Sequence, residues 1–77
     1  MRQAILVKYH GPTNASSARW SARAQAGRRV YDQDYSLDAD GNAEAAALAY
    51  AKVLDWRGEW AGGALPNGDY VFCQIEE

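Results

Sequence analysis

The residues able to support covalent or metal chemistry are few and poorly matched. The chain has one histidine, His10, and one cysteine, Cys73, whereas a zinc site takes three or four nitrogen, sulfur or carboxylate ligands. A nucleophilic Cys–His pair needs an electropositive, part-exposed thiol and a third group that orients the base. Cys73 instead alternates with Val71 and Ile75, the pattern of a buried thiol acting as a small hydrophobe. Asp38-Ala39-Asp40-Gly41-Asn42 begins like a calcium loop, but the position that requires a bidentate glutamate holds Ala49. Gly62-Gly63 lacks the lysine and helix that follow a phosphate loop. No catalytic residue, metal site or cofactor is expected, and binding is left as the role.

Three constellations could bind. Asp32, Asp34, Asp38, Asp40 and Glu44 form an acidic run with no intervening base. On a strand, Asp32 and Asp34 would share one face about 6.7 Å apart, and a row of carboxylates can compete with phosphates for a basic groove. Trp56 and Trp60 flank Arg57, residue types that anchor interfaces; Trp56 is expected in the core and Trp60 nearer to solvent, where it can grip a partner. Arg19, Arg23, Arg28 and Arg29 are the alternative, a basic surface beside Trp20 or Tyr9 for nucleic acid. The net charge of −2 is on the wrong side for a typical nucleic-acid binder.

That net charge hides a division. Residues 1–31 hold Arg2, Lys8 and the four arginines with no acid, a sum of +6; residues 32–77 hold ten acids against Lys52 and Arg57, a sum of −8. Such asymmetry points to a charged partner. The simpler alternative is that the halves neutralise each other across neighbouring strands.

The elements that position these residues follow from periodicity. The clearest is a helix over Asn42–Leu54, NAEAAALAYAKVL, rich in alanine and free of glycine and proline. Asn42 is expected to cap it, with Ala43, Ala46, Ala47, Tyr50, Val53 and Leu54 on one apolar stripe. Residues 3–9 read as a strand, ended by Gly11-Pro12-Thr13-Asn14. Residues 18–26 alternate alanine or Trp20 with Arg19, Ser21, Arg23 and Gln25, a half-buried strand with its arginines in water. Gly27–Arg28 is the expected turn into a strand over 29–35 with Tyr31, Gln33 and Tyr35 inward, and Leu37 anchors the connection to the helix. Asp55–Gly63 reads as a loop, Leu65-Pro66-Asn67-Gly68 as a turn, and 70–75 as the last strand. The expected fold is α+β: a four-stranded antiparallel sheet in the order β-β-β-α-β with one helix packed on one face.

Seventy-seven residues make one domain, 1–77, with a modest core. A single cysteine excludes an internal disulfide and favours a reducing compartment. No apolar run approaches the roughly 20 residues that cross a bilayer, and the charged N-terminal stretch MRQAILVKYH does not fit a secretory signal. A cytoplasmic location with no membrane partner is expected.

The chain resembles a family of short proteins encoded by bacteriophages, prophages and plasmids. The likeness rests on Lys8-Tyr9, Gly11-Pro12-Thr13-Asn14, Arg19 and Ala22, then Asp34, Leu37, Asn42 and the alanine-rich helix through Lys52 and Leu54-x-Trp56. It closes with Gly62-Gly63, Leu65-Pro66-Asn67-Gly68 and Tyr70-Val71. The family pattern departs at Ser16-Ser17-Ala18, where members carry Arg-Gly-Ser before the final arginine, and at Asp55, where they carry glycine. The resemblance implies a mobile-element protein that inhibits host defence in the bacterial cytoplasm, as anti-CRISPR proteins do. A type I CRISPR surveillance complex or another defence protein is then the partner, and target-DNA binding is blocked either by the acids as a DNA mimic or by the Trp60 loop clamping a subunit. The competing classes are a nucleic-acid-binding accessory protein using Arg19, Arg23, Arg28 and Arg29, and a structural domain that homodimerises to hide its edge strands and tryptophans.

Overall fold

The computed structural model describes residues 3–14, 17–56 and 58–75. The strands are β1 (Ala4–His10), β2 (Arg19–Ala24), β3 (Gly27–Asp32), β4 (Trp60–Ala64) and β5 (Tyr70–Gln74), and the helix α1 (Ala39–Val53) lies between β3 and β4 in sequence. All five strands join one antiparallel sheet in the order β3-β2-β1-β5-β4. The class is the expected α+β with one helix, but the sheet has a fifth strand where a loop was expected. Two adjacent glycines give Trp60–Ala64 little strand propensity of its own. What makes it a strand is its hairpin with β5. Gly68 N–H donates to Leu65 O across Pro66-Asn67 (3.0 Å), Gly68 takes a left-handed φ of 92°, and Leu65 N–H closes on Asp69 O at 2.7 Å. Such a turn followed by a left-handed glycine sets the strand register.

β1 occupies the middle, and its Ile5 and Val7 are fully buried, each contributing about 1.5–3 kcal/mol by leaving water. Opposite them in register stand Phe72, Tyr70 and Ala22, so one sheet face gathers Ile5, Val7, Trp20, Ala22 and Phe72 beneath the helix. Ala43, Ala46, Ala47, Tyr50 and Ala51 face them from α1. The small alanines let α1 approach the sheet closely, and Tyr50 and Trp20 fill the remaining space.

Several expected placements are corrected. The helix starts three residues before Asn42 because Asp38, not Asn42, is its N-cap: Asp38 Oδ1 accepts Gly41 N–H at 2.7 Å. Asp38→Ala removes that acceptor and is expected to cost about 1 kcal/mol, read as a lower urea midpoint with an unchanged m-value. Val53 lies half exposed and Ala51 replaces it in the buried stripe, while Leu54 packs partly against the core. The β2–β3 turn falls at Gln25–Ala26, so that Gly27 already pairs with Ala24. Tyr31 packs against the core, but Tyr35 lies beyond the end of β3 and is 74% exposed. In β5 the inward face is Phe72 and Gln74, which leaves Cys73 half-buried on the opposite face with Val71. Cys73 pairs with Ala4, six residues from His10 along β1, about 20 Å at strand rise, so the two are not neighbours.

At its C-terminus α1 ends in a Schellman arrangement: Trp56 N–H donates to Ala51 O (2.8 Å) and Asp55 N–H to Lys52 O (3.1 Å). Asp55 holds the left-handed φ of 57° that glycine adopts most readily. No helix among the described residues is long and apolar enough to cross a membrane.

Candidate binding surfaces

The sheet has a helix on one face only, so strand alternation places every second residue of β1–β3 on an uncovered face. In register across β3, β2 and β1, that face carries Arg28–Arg23–Leu6, then Val30–Ser21–Lys8, then Asp32–Arg19–His10. Arg23 and Arg28 stand directly opposite each other, a like-charge pair that weakens the sheet. Lys8 and Arg19 lie on the same face, so these three strands present four cations there against Asp32 alone. The patch measures about 10 Å across the strands and about 13 Å along them. Leu6 and Val30 are part-exposed between the cations. His10 Nε2 lies 2.9 Å from Ser21 Oγ, which is buried at the centre of the face. Arg19 Nε is enclosed and has no hydrogen-bond partner, so its stem is packed into the sheet.

Arg29 does not join this group. It shares the parity of Tyr31 and so faces the helix side, near enough to oppose the rise in the Tyr31 hydroxyl pKa that burial causes. The aromatic rings expected beside the arginines are also on the helix side: Trp20 meets Tyr9 at 5.0 Å and Tyr70 at 6.0 Å between ring centroids.

The acidic run is divided among four places. Asp32 sits on the basic face opposite Arg19. Asp34, in the connection to α1, accepts the Ser36 hydroxyl at 2.6 Å and the Ser36 N–H at 2.9 Å, and these bonds, the hydroxyl first, hold its carboxyl below the usual carboxylate range. Asp38 caps the helix. Asp40 and Glu44 are brought together, one turn apart on the side of α1 that overlooks β4. Asp40 Oδ1 accepts the Tyr70 hydroxyl at 2.8 Å, and that bond raises the Tyr70 pKa.

Between α1 and β4–β5 runs a cleft of about 340 Å³. Gly62, whose side-chain direction is the helix side, offers nothing to fill it. Asp40, Glu44 and Leu48 form the helical wall, Tyr70 and Phe72 the floor, and Trp60 the far end. A second hollow of about 330 Å³ continues it along α1 to Asp55 and Trp56, sharing Leu48 and Trp60. Trp60 is therefore not a loop residue projecting into solvent: it opens β4 and stacks on Trp56 at 6.1 Å, both rings half-buried. Arg57, expected between them, lies outside the described residues.

No family model, curated protein or solved structure matches this chain. Among the described residues no group of three or more histidine, cysteine or carboxylate side chains is placed to hold a metal ion. Lys8, Leu48, Tyr70 and Phe72 join these surfaces without having been expected there. Lys8 alternates with Val7 and Tyr9, a signal that was available; the cleft residues depend on β4 being a strand, for which the sequence has no local mark.

Proposed function

We propose that the protein is a non-enzymatic binding module of a mobile element whose uncovered sheet face holds the phosphate backbone of a nucleic acid, its partner being a nucleoprotein complex of host defence. The observation that supports this reading is the cross-strand pairing of Arg23 with Arg28 beside Lys8 and Arg19. Like charges placed face to face cost stability, and a row of phosphates relieves that repulsion. A 13 Å footprint spans about four phosphates of one strand. No aromatic ring lies among these cations, so the contact is to backbone rather than to stacked bases, and it discriminates little between sequences. Occupying the nucleic acid of a surveillance complex would block target binding, the anti-CRISPR-like outcome that the resemblance implies.

The test is a fluorescence-anisotropy titration with a labelled 20-base-pair duplex across a salt series. With about three phosphate contacts, affinity for the duplex is expected to fall roughly 40-fold between about 50 and 200 mM salt. Arg23→Glu with Arg28→Glu should weaken binding at least about tenfold and reduce the salt slope by about two contacts. A salt-independent signal, or a double variant that binds like the parent, removes this reading. A second reading, in which a protein subunit is clamped, is favoured by the one part of the acidic run that does come together, Asp40 and Glu44 beside Trp60.

A further inference from the structure

We propose that the outer edge of β4 is a docking site for an extended, basic segment of a partner protein, which adds as a sixth strand and lays alternate side chains into the cleft beneath α1. This does not rest on the sheet-face reading, since the two surfaces use different residues.

The sheet ends differently at its two sides. β3 carries Arg28, Arg29 and Asp32, charges of the kind that keep an edge from pairing. β4, the sequence WAGGA, has no charge and no proline, and among the described residues no strand lies beyond it. Its register fixes what it offers. Ile75 N–H donates to Glu59 O and Leu65 N–H to Asp69 O, so the odd-numbered positions between them turn their backbone groups toward β5. By antiparallel alternation, the N–H and C=O groups of Trp60, Gly62 and Ala64 then point outward. These same three residues face the helix side, so a strand bonded to them runs along the mouth of the cleft. Strand addition of this kind takes affinity from main-chain bonds and selectivity from the pockets that receive alternate side chains.

Those pockets specify the occupant. The cleft is apolar along Leu48 and Phe72 and anionic at one end, where Asp40 and Glu44 meet with no cation among the described residues that line it. Its continuation adds Asp55, with Lys52 the one cation among the described residues that line it. An arginine or lysine side chain can lie along the apolar wall with its charged end at Glu44, and Trp60 and Tyr70 give the cation ring faces to rest on. An acidic segment would meet repulsion at the same place.

The experiment titrates isotope-labelled protein with an acetylated, amidated hexapeptide alternating arginine and valine, and separately with its glutamate–valine counterpart. The expected result is movement of the Trp60, Gly62 and Ala64 amide resonances by the arginine peptide, with the glutamate peptide at least about tenfold weaker, a difference of about 1.4 kcal/mol. Glu44→Lys, on the exposed side of α1, should weaken the arginine peptide about tenfold or more with helix content unchanged. Ala64→Pro removes one outward N–H, a change that edge strands tolerate, and should abolish the β4 shifts. Equal response to both peptides, or no movement of those amides at millimolar peptide, overturns the proposal. So does self-association that Ala64→Pro abolishes in the absence of peptide, because the edge is then filled by a second copy of this chain.

Discussion

Asn42→Ala is expected to lower the melting temperature by about 12–24 °C, the largest effect of any polar substitution in this chain. Asn42 is 5% exposed and ties the connection after β3 to the first turns of α1. Its Oδ1 accepts the Asp34 N–H at 2.8 Å. Its Nδ2 donates to three carbonyls, those of Asp34, Leu37 and Asp38, at 3.0, 3.2 and 2.9 Å. Alanine takes this partner from the Asp34 N–H and the Leu37 carbonyl, whereas Asp34 O keeps the Leu37 N–H (3.1 Å) and Asp38 O keeps the N–H of residue 42 (2.9 Å); each group left unpaired costs about 1–3 kcal/mol where water cannot reach it. A total of about 3 kcal/mol is a large share of the roughly 4–12 kcal/mol that holds a domain of this length. At about 4–8 °C per kcal/mol, the melting temperature follows. Asn42→Asp should do no better, because it keeps the acceptor for Asp34 but sets a carboxylate oxygen against three carbonyls. Differential scanning calorimetry decides the matter, and a shift of only a degree or two would show that the connection does not depend on this amide.

The same residue shows what was legible in the sequence and what was not. Asn42 announces itself as a polar residue at the start of an alanine run, and capping is the usual meaning of that pattern. The structure uses Asp38 as the cap and buries Asn42 a turn later, a choice decided by the carbonyls of residues 34–38 that only the folded connection brings together. Ala18, Trp20 and Ala22 were readable, because period-two alternation reports one buried face wherever a strand pairs on both sides. Tyr35 was misplaced by extending that alternation past Asp32, where pairing with β2 stops.

The acidic run is the clearest case of sequence adjacency without spatial adjacency. Asp32 ends a strand, Asp34 makes an Asx-type turn with Ser36, Asp38 caps, and Asp40 with Glu44 follows helical spacing. Each geometry aims its carboxylate in a different direction, so residues contiguous in a string serve different surfaces. The arginines reverse the lesson. Arg23 and Arg28 are five apart in sequence and meet because a two-residue turn folds β3 back on β2, whereas Arg29, next to Arg28, points through the sheet to the other side.

Gly62 and Gly63 are expected to respond oppositely to alanine. The side-chain direction at position 62 is the helix side, where an added Cβ would meet three Phe72 ring carbons at 3.0 Å or closer. Phe72 cannot retreat freely, being 6% exposed and opposite Ile5 in the centre of the sheet. Gly62→Ala should therefore cost about 1–3 kcal/mol, with Gly62→Val at the upper end. At position 63 the side chain would point to the uncovered face, where nothing lies within 4 Å. Gly63→Ala should be neutral or stabilise by about 0.4–1 kcal/mol, by reducing the freedom of the unfolded chain. Urea unfolding of the two single variants side by side measures the contrast, and equal midpoints would mean that Phe72 does not cover Gly62. The asymmetry also bears on binding: displacing Phe72 disturbs the floor of the cleft, so Gly62→Ala should weaken a basic strand docked on β4, while Gly63→Ala should leave it unchanged. A glycine pair that looks like a flexible loop in the sequence thus has one member required by close packing and one that is replaceable, and the cleft under α1 depends on the first.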